Sequence, residues 1–162
     1  MEASAEALRR VMADFASGVT IVTTLWEGVP HGMTATAFCS VSLDPPLVLV
    51  CVSKASRFHR AVTRADHWTV SLLAHDQESV ARHFANRGRD LATQFDDVPH
   101  APAPVSGAPV VKGALAWLEC TTHARHDGGD HTILVGRVLR TSEESSPEGP
   151  LTYHRGTYSP DV

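Results

Sequence analysis

Leu8, Val11, Met12 and Phe15 recur at the i, i+3, i+4, i+7 spacing that gathers side chains on one helix face. Ser17-Gly18 then supplies a stop, so the chain is expected to open with a helix. Beyond it the period shortens. Residues 19–25 are β-branched and read as a strand turning at Glu27-Gly28, and a second strand is expected over 32–41. Asp44-Pro45-Pro46 interrupts the chain, because proline cannot donate to a ladder. Residues 47–52 are apolar without a break, the pattern of a strand buried on both faces. Ser56 is placed to cap a short helix with Phe58, Ala61 and Val62 inward, and 67–73 return as a strand. Asp76 is placed to cap a further helix that turns Val80, Ala81 and Phe84 inward and ends near Asn86-Arg87-Gly88. Four prolines between Asp96 and Pro109 mark a surface loop. Residues 114–126 and 131–140 read as long strands joined by a hairpin at Asp127-Gly128-Gly129-Asp130. An acidic, Ser/Pro-rich exposed connection over 142–150 leads to a short last segment through Tyr153 and Tyr158.

Strands dominate and most connections are short, which favours antiparallel pairing in a small β-barrel with peripheral helices. Regular β-α-β alternation is missing, as is a G-x-G-x-x-G after a strand, which argues against a Rossmann domain. The 162 residues are expected to form one domain. A chain of this size buries roughly 70% of its unfolded surface and needs no staple. The content is ordinary for a globular protein, 43% hydrophobic and 20% charged. A net charge of -4 argues against a nucleic-acid partner, which calls for a basic face. The three cysteines are dispersed, with no C-x-x-C pair for a zinc ribbon or a thioredoxin-type site. Cys51 and Cys120 sit in apolar runs, which suits a reducing cytoplasm. The opening Met1-Glu2-Ala3-Ser4 lacks the basic-then-apolar order of a signal peptide, and no apolar stretch approaches the ~20 residues of a span. A cytoplasmic protein without a membrane partner is therefore expected.

Chemistry concentrates in residues 32–57. Thr34, Thr36, Phe38 and Ser40 alternate along one strand face, and the small residues between them let a flat ring approach the backbone. A Thr/Ser-rich strand facing water is the structural alternative. Downstream, Ser53-Lys54-Ala55-Ser56-Arg57 packs two hydroxyls and two cations together at a helix start, where a phosphate is the natural guest and a solvated cap the plainer reading. Together these features suit a flavin nucleotide. His123, His126 and His131 flank the hairpin, but His123 and His126 point to opposite faces of a strand and no cysteine is near, so no metal is expected. His131, following Gly129-Asp130, either contacts a ligand or packs. Arg82 can reach a phosphate, although with His83 it also suits the end of a helix. No Ser-His-Asp or Cys-His arrangement stands out, and nothing specific supports Cys39 as a nucleophile.

Motifs in order along nearly the whole chain resemble the short-chain flavin reductases, the reductase partners of two-component flavin-dependent monooxygenases. They are Phe15-Ala16-Ser17-Gly18-Val19-Thr20-Ile21-Val22-Thr23-Thr24, residues 34–53 with Ser42-Leu43-Asp44-Pro45-Pro46-Leu47, and Gly129-Asp130-His131 through Gly136. Gly107-Ala108-Pro109, Ala116-Trp117-Leu118-Glu119-Cys120, Pro150-Leu151-Thr152-Tyr153 and Gly156-Thr157-Tyr158 agree as well. The resemblance implies a mainly β fold, a split β-barrel of Greek-key, FMN-binding type, in a homodimer with flavin near the subunit interface. It further implies an NAD(P)H:flavin oxidoreductase passing hydride from NADH or NADPH to FMN or FAD. By matching motif positions, Thr34, Ala35, Thr36 and Ala37, with Ser40 and Val41, line the isoalloxazine and ribityl chain. Cys51, Val52, Ser53, Lys54 and Ser56 hold the ribityl and phosphate, with Arg82, Phe84 and Ala85 nearby. His131, the catalytic candidate, and Tyr153 face the nicotinamide. Many relatives read Thr-Ala-Ser-Ser-Phe where this chain has Thr34-Ala35-Thr36-Ala37-Phe38, so Ala37 forgoes a hydroxyl worth ~1 kcal/mol. Two other functions share the barrel: flavin or haem binding without turnover, and direct FMN-dependent oxidation of a small substrate.

Overall fold

A computed structural model describes residues 2–143 and 149–159. Helix α1 (Ala5–Ala13) is followed by β1 (Ser17–Gly18), β2 (Thr20–Trp26), β3 (Val29–Ala35), β4 (Phe38–Leu43), β5 (Pro46–Ser53), α2 (Arg57–Val62) and β6 (His67–Leu72). Then come a 3₁₀ turn (His75–Gln77), α3 (Glu78–Ala85), β7 (His100–Pro102), β8 (Pro109–Val111), β9 (Ala116–Gly128), β10 (His131–Glu143), β11 (Thr152–His154) and β12 (Thr157–Ser159).

Seven strands form one antiparallel sheet in the order β3-β2-β6-β9-β10-β5-β4. Its two outermost strands are consecutive in the chain. The strand expected over 32–41 is bent at Thr36-Ala37: Ala35 pairs with Thr20 on β2, whereas Phe38 pairs with Val50 on β5. In a flat sheet those ends would lie about 29 Å apart, six spacings of ~4.8 Å. Three peptide units reach about 11 Å. The sheet must therefore curl until its edges meet, giving a mainly β barrel split at this corner. The Cys51 N–H donating to Ala37 O at 3.1 Å fastens the corner to β5.

Inside the curl, Val22, Val50, Val52, Trp68, Cys120 and Leu134 converge, and α2 closes one end with Phe58 and Val62. Residues 47–52 were expected to be buried on both faces, but burial alternates: Val48, Val50 and Val52 point inward, while Leu49, Cys51 and Ser53 are half-buried. An antiparallel sheet needs only one face in the core. A second cluster, including Ile21, Leu73, Phe84, Phe95 and Leu151, packs α3 and the 86–99 segment against the outside of β2 and β3. A Cβ on Gly32 would sit 2.6 Å from Phe84 Cε1, so glycine there lets α3 lie close on β3.

Local chemistry explains the boundaries. Ser4 Oγ accepts from Ala7 N–H at 3.1 Å and Ser56 Oγ from His59 N–H at 3.1 Å, capping α1 and α2. The cap expected of Asp76 is replaced: Ala74 N–H donates to Gln77 Oε1 at 3.0 Å, and Asp76 lies inside the 3₁₀ turn. Glu27-Gly28 and Arg155-Gly156 carry positive φ at both central positions, as type I′ hairpins require. The β9–β10 turn is the two residues Gly129-Asp130, since His131 pairs with Gly128. The four-proline segment is more ordered than a plain loop. β7 pairs with β8, and the buried Glu119 carboxylate accepts from the N–H groups of Val105 and Ser106 and, at 2.7 Å, from Ser106 Oγ. Burial, then the Glu119 charge beside it, pushes the Cys120 thiol up to about 12, leaving it a packing residue. Of the connection expected over 142–150, Ser142 and Glu143 still belong to β10 and Pro150 bridges to Ala74, with 144–148 outside the described residues. Among the described residues no helix is long and apolar enough to cross a membrane.

Two outcomes follow from this packing. A Cβ on Gly136 would overlap Trp68 Cζ2 and lie 3.0 Å from Cys120 Cβ. Gly136→Ala should cost about 2 kcal/mol of stability, read as an unchanged urea slope with a lower midpoint. His31, on β3, is only 8% exposed and its Nδ1 has no hydrogen-bond partner among the described residues. Burial, then Arg89 and Arg57, lowers its affinity for a proton, and burial, then Lys54, does the same at His59. Both imidazoles take up a proton less readily in the fold than in the unfolded chain, where they protonate near the usual ~6.5. Their contribution is thus complete above about pH 6.5 and is lost as pH falls toward the lowered folded values. Denaturation midpoints should drop between pH 7.5 and 5.5, and His31→Gln should flatten that slope.

Candidate functional site

The barrel's split opens into a cleft of about 390 Å³, within the range of small-molecule sites. One wall is the end of β3 and the corner, Met33 through Ala37, and the floor is Cys51 and Ser53 on the outward row of β5. Ala35, Ala37, Ala55 and Ala85 leave the surrounding backbone bare, so a planar ring can lie against peptide edges. Thr34 Oγ1 is committed, donating to Ala81 O at 2.6 Å and tying β3 to α3. Ser56 Oγ is committed too, as the cap of α2 and as a donor to Ser53 O at 2.8 Å. The Thr36 and Ser53 hydroxyls make no side-chain hydrogen bond among the described residues.

One end of the cleft is cationic. Arg57, from the start of α2, and Arg87 and Arg89, just past α3, converge on it. Arg89 is the rigid member. Its guanidinium donates to Phe84 O at 3.0 Å, Asn86 O at 2.8 Å and Gly32 O, and burial, then Arg57, lowers its proton affinity. Arg57 Nη2 donates to Arg89 O at 2.8 Å, while Arg87 is exposed and its side chain makes no hydrogen bond or ion pair among the described residues. Such a trio holds a phosphate as a planar fork of donors. At the rim stands His131, whose Nδ1 lies 2.7 Å from Asp130 Oδ1. That hydrogen bond holds the Asp130 carboxyl below its usual range and leaves Nε2 with no protein partner among the described residues.

The residues expected at the site divide in two. Thr34, Ala35, Thr36, Ala37, Cys51, Ser53, Ser56, Phe84, Ala85 and His131 all line the cleft. Ser40 and Val41 do not: they lie exposed on β4. Val52 points into the barrel, because strand alternation puts it opposite Cys51 and Ser53. Lys54 Nζ is engaged elsewhere, donating to the Asp127 carboxylate and to Gly129 O. It pins the β9–β10 turn against β5, and so helps to place His131. Arg82 pairs with Glu78 at 2.6 Å and lies 5.1 Å above the Tyr158 ring, and Tyr153 packs on Tyr158. Sequence reasoning missed Met33, Ala55, Phe58, Arg87 and Arg89, and weighed Arg57 only as part of the cation cluster. The pair Arg87-Gly88-Arg89 was the available signal, since two arginines beyond a helix end are free to turn toward an anion.

The flavin reductase like domain model matches residues 12–160. An NADH-dependent FAD reductase of Streptomyces globisporus is 47% identical over 145 residues, 89% of this chain and 79% of that protein. The reductase subunit HsaB of a flavin-dependent monooxygenase from Rhodococcus jostii (strain RHA1) is 40% identical, covering 93% of this chain and 75% of the relative. Among solved structures, BorF, the flavin reductase component of a bacterial two-component tryptophan halogenase, superposes with a TM-score of 0.89 at 44% identity, covering 96% of both chains. A cleft of bare backbone with a guanidinium end, at the split of a barrel so closely shared, places this chain in the flavin reductase like family.

Proposed function

We infer that this chain is an NAD(P)H-dependent flavin reductase, taking hydride from a nicotinamide cofactor to FMN or FAD and supplying reduced flavin to a partner monooxygenase. The carrying observation is the cleft at the split, lined by small side chains, by the Thr36 and Ser53 hydroxyls that stay unpaired among the described residues, and by three arginines. Family membership and relatives named as NADH-dependent FAD reductase and as a monooxygenase reductase subunit support the same reading. Flavin, when bound, supplies an electron-poor ring that takes up hydride at N5.

The protein's own part is positioning and exclusion of water. Residues 34–37, with the Thr36 hydroxyl, would hold the ring, Cys51 and Ser53 the sugar-like chain, and Arg57, Arg87 and Arg89 the phosphate. His131, steadied by Asp130 and by the Lys54 clasp on its turn, offers Nε2 to the nicotinamide side. No strong acid or base is called for, and among the described residues no carboxylate lines the cleft. The 162 residues act as one domain in the cytoplasm, where the free thiols of Cys39, Cys51 and Cys120 stay reduced. A homodimer is supported by the exposed apolar residues Leu8, Val11, Met12 and Phe15 at α1 and Val41 and Leu43 on β4, which are costly to leave in water.

NADH loss at 340 nm in the presence of FMN tests the activity; absence of flavin-dependent turnover would overturn it. Arg87→Ala should weaken FMN binding about tenfold, roughly 1.4 kcal/mol, and leave riboflavin, which lacks the phosphate, unchanged. His131→Ala should raise KM for NADH more than it alters flavin affinity.

A further inference from the structure

The β9–β10 hairpin carries His131 to the cleft rim on little packing of its own. Residues 125–130 are all exposed, two of them are glycines, and the first buried residue of β10 is Leu134. Glycine is free in φ and has no side chain to dock, so the tip needs fastening from elsewhere. The ladder with β5 sets its register, opposing His131 to Ser53 and Thr132 to Val52. Opposed residues of an antiparallel pair share a face, and successive residues alternate. His131 therefore lies on the outward row that lines the cleft, and Thr132 turns inward with Val52.

On that inner side Thr132 meets α2, with His59 Nε2 2.8 Å from Thr132 Oγ1. The helix is a firm base. Phe58, Ala61 and Val62 are buried, Ser56 Oγ caps the helix through the His59 N–H, and Thr63 Oγ1 donates to His59 O at 2.7 Å. Its first residue, Arg57, lines the cationic end of the cleft, whereas His59 itself lines none of it. Among the described residues, the other side-chain hydrogen bonds that reach the tip from outside the hairpin come from Lys54, to Asp127 and Gly129. Lys54 and Asp127 are both exposed, so salt and solvent weaken that clasp, while His59 and Thr132 are half-buried and screened less.

We propose that His59 is a positioning residue of the reductase: through Thr132 it fixes the strand start that carries His131, and so sets KM for NADH without touching either cofactor. The proposal rests on the flavin-reductase reading and on the place given there to His131. Removing the imidazole spares the α2 cap, which uses the backbone of residue 59, and spares Arg57 with it. What is lost is a tether one residue from the ring that offers Nε2.

KM and kcat for NADH with FMN as acceptor, and FMN affinity by fluorescence titration, are measured on the full chain. His59→Ala and Thr132→Val should each raise KM for NADH about fivefold, the factor one ordinary hydrogen bond corresponds to. Both should leave kcat and FMN affinity within about twofold, and the two changes combined should cost no more than either alone. His59→Gln, which can still reach the hydroxyl, should return KM to near the wild-type value. In a His131→Ala background, His59→Ala should add less than about a further twofold, because the ring it positions is gone. A parallel fall in FMN affinity would make His59 a general brace of α2 and overturn the proposal. So would an unchanged KM in His59→Ala, or a full fivefold increment in the absence of His131. If His59→Ala does not fold, Thr132→Val carries the same comparisons. A wild-type chain without flavin-dependent NADH turnover would sink the reductase reading itself, a result distinct from turnover that His59 does not tune.

Discussion

Between Ala35 and Phe38 the chain has three peptide units in which to leave one end of a seven-stranded sheet and join the other. That limit on reach bends the sheet, and much else follows from the bend. The barrel cannot zip shut at the corner, because residues there have left one ladder without entering the next. Thr36 and Ala37 line the cleft as a consequence, beside the half-buried Cys51 and Ser53, with Ala37 O tied to β5 by the Cys51 N–H. A binding cleft at this place is what a sheet closed by a single kinked strand leaves over.

Charge is distributed to match. The chain carries more acid than base overall, yet Arg57, Arg87 and Arg89 meet on one side of the cleft, two of them held through backbone carbonyls. Anchoring a guanidinium on carbonyl oxygens keeps its charge uncompensated, whereas a carboxylate would have cancelled it. Lys54 shows the contrast: paired with Asp127, it has become a clasp for the turn that carries His131. Two cations three residues apart thus serve different ends, and only the partner chosen in the fold separates them.

Much of the fold was legible. β-branched runs, the Glu27-Gly28 and Gly129-Asp130 turns and the serine at the start of α2 act within a few residues, so the pattern carries them directly. The corner was not visible, since Thr34-Ala35-Thr36-Ala37 continues a strand's alternation without glycine or proline to mark a break. The run 47–52 hid its inner face for a related reason, as an unbroken apolar stretch has no polar residue to set the phase. At the site, residues 34–37, Ser53 and His131 could be read from local chemistry and from resemblance. Lys54, Arg82, Arg87 and Arg89 could not be sorted, because a long cation's role depends on neighbours brought in from distant sequence: Asp127 for one, Gly32 for another.

Glu119 reaches from the interior to hold the 103–108 segment, and it does so largely through peptide N–H groups. An anchor addressed to the backbone is nearly indifferent to the side chains it secures. The outward positions of that segment, exposed Val105 among them, are therefore free to drift or to be redesigned, as long as proline takes neither of the two donating places.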